Sequence, residues 1–222
     1  MKKMNFGKTE QGDDIDLDFD QENIRFVLLI GRTGSGKSIF HNHLYHELME
    51  RYTPDEIGFI FMDMTQVDFG WWDSKYLARP VIVNEGEALD VLENLKDEKR
   101  KIFVHIEECN MIHHDRSQFE RGIDNILRNN KNIILVYSTS AMNFSYLTDW
   151  IEKFVDLRVV FQIGDKESAR LLLGNDDAAT FAIPGERILT YHDKQIKCAP
   201  FPEPKKKIYL DADEVSLTRN LF

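Results

Sequence analysis

The chain has 222 residues, and its 28 Lys and Arg stand against 38 Asp and Glu, a formal charge of −10 that excludes a free-standing basic nucleic-acid binder. At 42% hydrophobic with 15 Phe it can fill a sizeable core, yet charged residues break every apolar stretch before the ~18 residues a membrane span needs, and no apolar leader follows Met1-Lys2-Lys3-Met4. Two cysteines, Cys109 and Cys198, make no disulfide framework and read as small buried side chains of a cytoplasmic protein.

Between Thr9 and Glu22 the acids Asp14, Asp16, Asp18 and Asp20 alternate with Ile15, Leu17 and Phe19, a period of two that predicts a half-buried edge hairpin within residues 5–22. Phe26–Ile30 is uninterrupted apolar, and similar runs recur at Ile57–Met62, Ile102–Ile106, Ile133–Tyr137 and Leu157–Ile163; each reads as a strand buried on both faces. Helical spacing fills Ser38–Arg51, Glu85–Leu95, Ser117–Leu127, Asn143–Phe154 and Lys166–Leu173. Strands alternating with helices predict an α/β fold with a mostly parallel central sheet and helices on both faces. Arg187–Tyr191 and Gln195–Cys198, joined by His192-Asp193, predict a closing hairpin. Pro200, Pro202 and Pro204 with Lys205-Lys206-Lys207 then mark the end of one domain over residues 1–202, leaving a tail over 203–222.

Directly after the first buried run stands Gly31-Arg32-Thr33-Gly34-Ser35-Gly36-Lys37-Ser38, which fits G-x-x-x-x-G-K-[ST] and opens a helix. Such a loop turns the backbone N–H groups of Gly31, Arg32, Thr33, Gly34, Ser35 and Gly36 inward, with Ile39 beside them; Lys37 reaches the β- and γ-phosphates and Ser38 holds Mg²⁺. Asn130-Lys131-Asn132-Ile133 lacks the acid of a guanine-reading NKxD, so ATP is expected rather than GTP. The third run ends in Glu107-Glu108: Glu107 takes the Mg²⁺ position where Asp is usual, and Glu108 polarises the attacking water. Thr139, at the end of the fourth run, is a candidate sensor, with a plain helix-capping role as the alternative.

His41, His43 and His46 after the phosphate loop, and His113-His114 after the third run, invite a metal site. Only His43 and His46 share a helical face and no cysteine or acid completes a tetrahedral set, so they read as ordinary, partly exposed histidines. Trp71-Trp72 reads as a pair packed on the sheet edge, with base stacking as the alternative.

With these residues in place the chain resembles, over residues 5 to 202, the motor domain of the FtsK/SpoIIIE family, RecA-like ring ATPases that pump DNA or drive type VII secretion. Phe6-Gly7-Lys8 with Gly12 is similar to the family's entry strand, and the stretch from Phe61 to Phe69 to its I-D-P-K-x-V-E-L. Arg158–Ile163 with Lys166, Ser168-Ala169-Arg170 and Leu171–Gly174 is similar to its R-I-A-F-x-V…S-R-x-I-L block, and Pro184–Leu189 to its G-x-G-D-M-L. The resemblance implies a RecA-like P-loop fold of the additional-strand, catalytic-glutamate type. It also implies Arg158 or Arg170 acting in trans on a neighbour's phosphates, a homo-oligomer that is a hexameric ring when active, DNA or protein as substrate, and a membrane-associated complex as partner. Three departures stand out: Ser138-Thr139-Ser140 replaces the family's A-T-Q, Glu107 its Asp, and Thr65 the Lys after its second strand. No winged-helix module follows residue 202 and no membrane part precedes residue 5, so the chain reads as a stripped motor.

Two functions compete at this level. One is an ATP-hydrolysing translocase whose pore could be lined by Arg116, Arg121 and Arg128. The other is a nucleotide-binding assembly module that hydrolyses poorly because Glu107 and Ser140 depart from the pattern. A small-molecule kinase is a distant third, since no arginine-rich lid is found.

Overall fold

The computed structural model describes residues 1–69, 75–96, 98–108, 115–140 and 153–201. Seven strands form the central sheet in the order β4 (Ile57–Asp63), β5 (Lys101–Glu107), β6 (Ile133–Thr139), β3 (Phe26–Ile30), β7 (Leu157–Val160), β8 (Arg187–Tyr191), β9 (Lys194–Cys198). The first five run parallel, β8 returns antiparallel beside β7, and β9 pairs antiparallel with β8 and so runs in the direction of the first five. β3, β4 and β6 are buried at every position and β5 at all but Lys101, as continuous apolar runs require when helices cover both faces. The expected α/β architecture is present, and β6 lies between the phosphate-loop strand β3 and the Glu107 strand β5.

Residue alternation sorts the core into two layers. Val27 and Leu29 of β3, with Phe59, Phe61 and Phe103, pack under α1 (Lys37–Arg51) through Phe40, Leu44, Tyr45 and Leu48. Phe26, Leu28 and Ile30 point to the other side, covered by α2 (Glu85–Asn94), α3 (Arg116–Asn129), α4 (Lys166–Leu173) and the single turn α5 (Asp177–Thr180). Asn84, Asp115 and Asp165 cap α2, α3 and α4 by accepting a backbone N–H with their side chains. α1 alone of the longer described helices has no such cap: Gly36 stands there in the left-handed region at φ 108°, so the amides of the first turn are left for a ligand.

The N-terminal hairpin, β1 (Met4–Lys8) with β2 (Asp14–Leu17), differs from its expected place at the sheet edge. It is a two-stranded sheet of its own, laid over α1, with a single bridge from Thr9 to Cys198 of β9. Met4, Phe6, Ile15, Leu17 and Phe19 are all buried while Asp14, Asp16 and Asp20 face outward, so the two-residue period holds over β2. It breaks at Asp18, which is buried and accepts the backbone N–H groups of Asp20 and Gln21, and the partner surface also differs from the one expected. The strand expected over Leu157–Ile163 ends at Val160. Beyond it Phe161 N–H still donates to Ile30 O and Arg32 N–H to Gln162 O, both at 2.8 Å, so the segment braces the phosphate loop. The closing hairpin turns at His192 and Asp193, both at positive φ, as a two-residue turn between twisted strands demands. Of the helix expected over Asn143–Phe154 only Lys153 and Phe154 are described, both helical. Trp71-Trp72, Cys109, His113-His114 and the lysines of the tail lie outside the described residues.

Candidate nucleotide site

The phosphate loop is built from both sides. Gly31 donates to Thr139 O at 3.3 Å, and a Cβ on Gly31 would meet Phe161 Cβ at 2.6 Å, so only glycine lets the loop leave β3 between β6 and the post-β7 segment. Gly31, Arg32 and Ser35 shape the loop through backbone bonds, while Thr33, Gly34, Gly36, Lys37, Ser38 and Ile39 face a cleft of 370 Å³. Thr65, Val67 and Asp68, from the loop after β4, form the facing wall, and Glu107 and Glu108 at the end of β5 form the floor. Residues expected from separate motifs to form one site thus share one cleft.

Lys37 is buried, and its ammonium donates to Gly31 O at 2.8 Å. Burial lowers its pKa, and Glu107, Glu108 and Asp68 pull it back up. Glu107 is the last residue of β5 and buried; burial pushes its carboxyl up to about 7, against the pull of His41, Ser138 and Lys37. Glu108, one residue on, sits at φ 45°, a strained setting of the kind that collects at functional turns. Its Oε2 accepts the backbone N–H of Ser140 at 3.0 Å, so the two strand ends on which the acid and the sensor were expected are joined directly. Thr139 is buried at the end of β6 and acts on the loop through its carbonyl. Ser38 and Glu107 offer a hydroxyl and a carboxylate to the same cleft, hard oxygen donors of the kind that suit Mg²⁺.

Several contributors were not recognised from sequence. Asp63, fully buried, accepts from Thr65 N–H and Oγ1 and from the amides of Asp68 and Phe69, four bonds that fold the loop so that Asp68 enters the cleft. The histidine reading needs correction at His41, while His43 and His46 are partly exposed as expected. His41 is buried, 3.8 Å from Glu107 and 3.9 Å from Asp68, and ligand atoms of His41, His105 and Glu107 lie within 4.8 Å of one another. Helical position 41 and strand position 105 are far apart in sequence, so only the packing of α1 on β5 brings an acid to them. Burial holds His105 neutral, its pKa lowered to about 3, with Asp68 and Asp63 opposing; burial and Glu107 raise the Tyr45 phenol well above its usual value.

The arginines lie elsewhere. Neither Arg158 nor Arg170 is among the residues that line the cleft. Arg158 stands in β7 opposite Leu28, two residues before the sheet edge that carries the loop. Arg170 is exposed on α4 and grips Asp176 with two guanidinium nitrogens. The arginines offered for a pore are each paired along or beside α3, Arg116 with Glu120, Arg121 with Glu93 and Arg128 with Asp124.

A model of the FtsK/SpoIIIE family matches residues 3–171. The chain belongs to that family. The DNA translocase FtsK of Borreliella burgdorferi is 30% identical over 152 residues, which are 68% of this chain and 17% of that protein, so the chain spans about a sixth of its length. In structure the chain is similar to the cytoplasmic domain of the Thermomonospora curvata type VII secretion ATPase EccC (TM-score 0.72, 16% identity, 92% of this chain and 29% of that one). It is similar also to the pCW3 conjugation coupling protein TcpA with ATPγS (TM-score 0.71, 19% identity, 96% and 67%). At these identities the structural likeness carries the RecA-like fold alone. No helix among the described residues is long and apolar enough to cross a membrane.

Proposed function

We propose that this chain is an ATP-hydrolysing motor domain that works in a ring of identical subunits and moves DNA. The observation that carries the reading is that Lys37 and Ser38 face Glu107 and Glu108 across one cleft, with β6 inserted between their strands. In this reading the uncapped first turn of α1 and the loop amides hold the phosphates, and Lys37 exchanges the Gly31 carbonyl for the β- and γ-phosphate oxygens. Ser38 and Glu107 would hold Mg²⁺, which when bound neutralises phosphate charge. Glu108, held by the Ser140 amide, takes a proton from the attacking water and orients it in line. Arg170, exposed as a group reaching a neighbour must be, supplies guanidinium charge in trans; Arg158, set back in β7, supports the neighbouring strand end.

DNA as cargo is supported by the FtsK relative; Arg116, Arg121 and Arg128 are exposed, and their surface pairs with acids are weak enough for DNA phosphates to displace. The test is Mg²⁺-ATPase rate against protein concentration for the wild type and Glu108→Gln, with and without duplex DNA at low salt. Turnover that rises steeply with concentration, needs Glu108 and is stimulated by DNA in a salt-sensitive way fits the proposal. Negligible turnover in both proteins with ATP still bound would make the chain a nucleotide-gated module, and turnover indifferent to DNA would point to a protein cargo.

A further inference from the structure

Two ladders of side chains meet behind the floor of the cleft. Helical spacing sets Lys37, His41 and Tyr45 on the face of α1 turned to the sheet, and the two-residue repeat of β5 sets Phe103, His105 and Glu107 on the face turned to α1. His105, with no exposed surface, is where they interlock: Nδ1 lies 2.6 Å from the Tyr45 hydroxyl and Nε2 lies 2.8 Å from Glu107 Oε2. An ionised Glu107 can only accept, so Nε2 carries the proton, Nδ1 is bare, and the Tyr45 O–H donates to it. The chain of donors then runs one way, from Tyr45 through His105 to Glu107. Because both ring nitrogens are used, His41, His105 and Glu107 form a bracket rather than three ligands of a transition metal, despite their closeness.

The surroundings make the polar atoms conspicuous. Tyr45 packs edge-on against Phe59 and Phe61, each at 5.1 Å, and against Phe69 at 6.0 Å, a pocket that phenylalanine would fill without desolvating a hydroxyl. We propose that Tyr45 and His105 are positioning residues that fix the Glu107 carboxylate, drawing one oxygen back so that the other stands where the shorter Asp usual at this strand end would place its own. An Asp side chain is shorter by roughly 1.5 Å, which would leave it outside hydrogen-bond reach of His105. The long acid and the His–Tyr pair therefore come as a set. The inference rests on Glu107 being the magnesium-holding acid.

The experiment titrates Mg²⁺ into the full chain with a fluorescent ATP analogue, reading the half-saturating Mg²⁺ concentration and, in EDTA, the metal-free nucleotide affinity. Tyr45→Phe, which conserves volume, and His105→Leu should each raise half-saturating Mg²⁺ about tenfold with metal-free affinity within about twofold, and His105→Gln, which keeps a donor near Nε2, should restore most of it. In a Glu107→Asp background His105→Leu should add less than about twofold. The ¹⁵N shifts of the imidazole should report the Nε2–H tautomer in the metal-free protein at pH 8.5. If Tyr45→Phe leaves the Mg²⁺ requirement unmoved, or His105→Leu acts equally on Glu107→Asp, the positioning role is wrong while Glu107 keeps its own. If Glu107→Ala itself leaves the Mg²⁺ requirement unmoved, the assignment of Glu107 fails, and this inference with it.

Discussion

Gly185 donates its amide to the carbonyl of Ser35 at 2.8 Å, which fastens the turn before β8 onto the phosphate loop. The approach is close on both sides: a Cβ on Gly36 would come within 2.8 Å of Gly185 N and 2.9 Å of its Cα.

Alanine at Gly185 has to adopt φ 96° with its Cβ 3.1 Å from Pro200, a strain of about 1–2 kcal/mol that the loop can relieve only by moving away. The expected result for Gly185→Ala is a nucleotide affinity lowered roughly tenfold, read by fluorescent-nucleotide titration. An unchanged affinity would show that the loop holds its shape without β8.

Arg187 is fully buried with no carboxylate partner among the described residues; it donates to Phe6 O at 2.6 Å and to Gly185 O and Ala199 O at 2.9 Å, with its guanidinium 4.3 Å from the Phe201 ring centre. Burial brings its pKa down to about 10, so it stays charged at neutral pH. Arg187→Met leaves three carbonyls short of a donor and should destabilise the fold by about 3 kcal/mol or more in urea unfolding. Arg187→Lys should recover little, since an ammonium cannot span carbonyls set around a planar fork.

Glu107 makes metal-free stability depend on pH with a definite sign. Its folded pKa, about 7, lies above the 4.5 of the open chain, so between those values the folded state binds more protons, and stability falls as pH rises until it levels off above about 7. Glu107→Gln, neutral throughout, should lack that fall. Urea midpoints in EDTA at pH 5 and pH 8 for the two proteins are expected to diverge by an amount on the order of 2–3 kcal/mol; parallel profiles would mean that the carboxylate is better solvated than its burial implies.

Arg170 is held by Asp176 in the single chain and must leave it to serve a neighbour. Arg170→Ala should leave nucleotide binding intact and abolish turnover, as should Glu108→Gln. A 1:1 mixture of the two variants should regain part of the wild-type rate, because some interfaces then pair an intact Arg170 with an intact Glu108. No recovery in a mixture shown to co-assemble would place the arginine's role within its own subunit.

The parts of the site legible in the sequence are those whose chemistry is local. Gly31 to Ser38 are contiguous, and Glu107-Glu108 terminate a run whose burial is plain from its composition. Asp63 escaped notice because its work is to fold the loop that brings Asp68 in, and His105 because a histidine inside an apolar strand reads as core until the residue facing it is known. The signal was there in two halves, the four-residue spacing of Lys37, His41 and Tyr45 and the two-residue spacing of His105 and Glu107, which point at each other only once α1 is laid on β5. The hairpin was misplaced for a related reason: alternation tells which residues turn inward but not which surface they meet.

The contact between Arg187 and Phe6 spans 181 residues of chain, and the hairpin that Phe6 belongs to has no place to dock until α1 already lies on the sheet. A contact that depends on both the assembled sheet and the docked hairpin is expected to form after the parallel strands have found their order. On that expectation Arg187 gives up its water on the native side of the folding barrier, which chevron kinetics of Arg187→Met would test. Changes there should hasten unfolding while leaving the rate of folding nearly untouched, so this buried cation governs how long the assembled domain lasts rather than how quickly it is made.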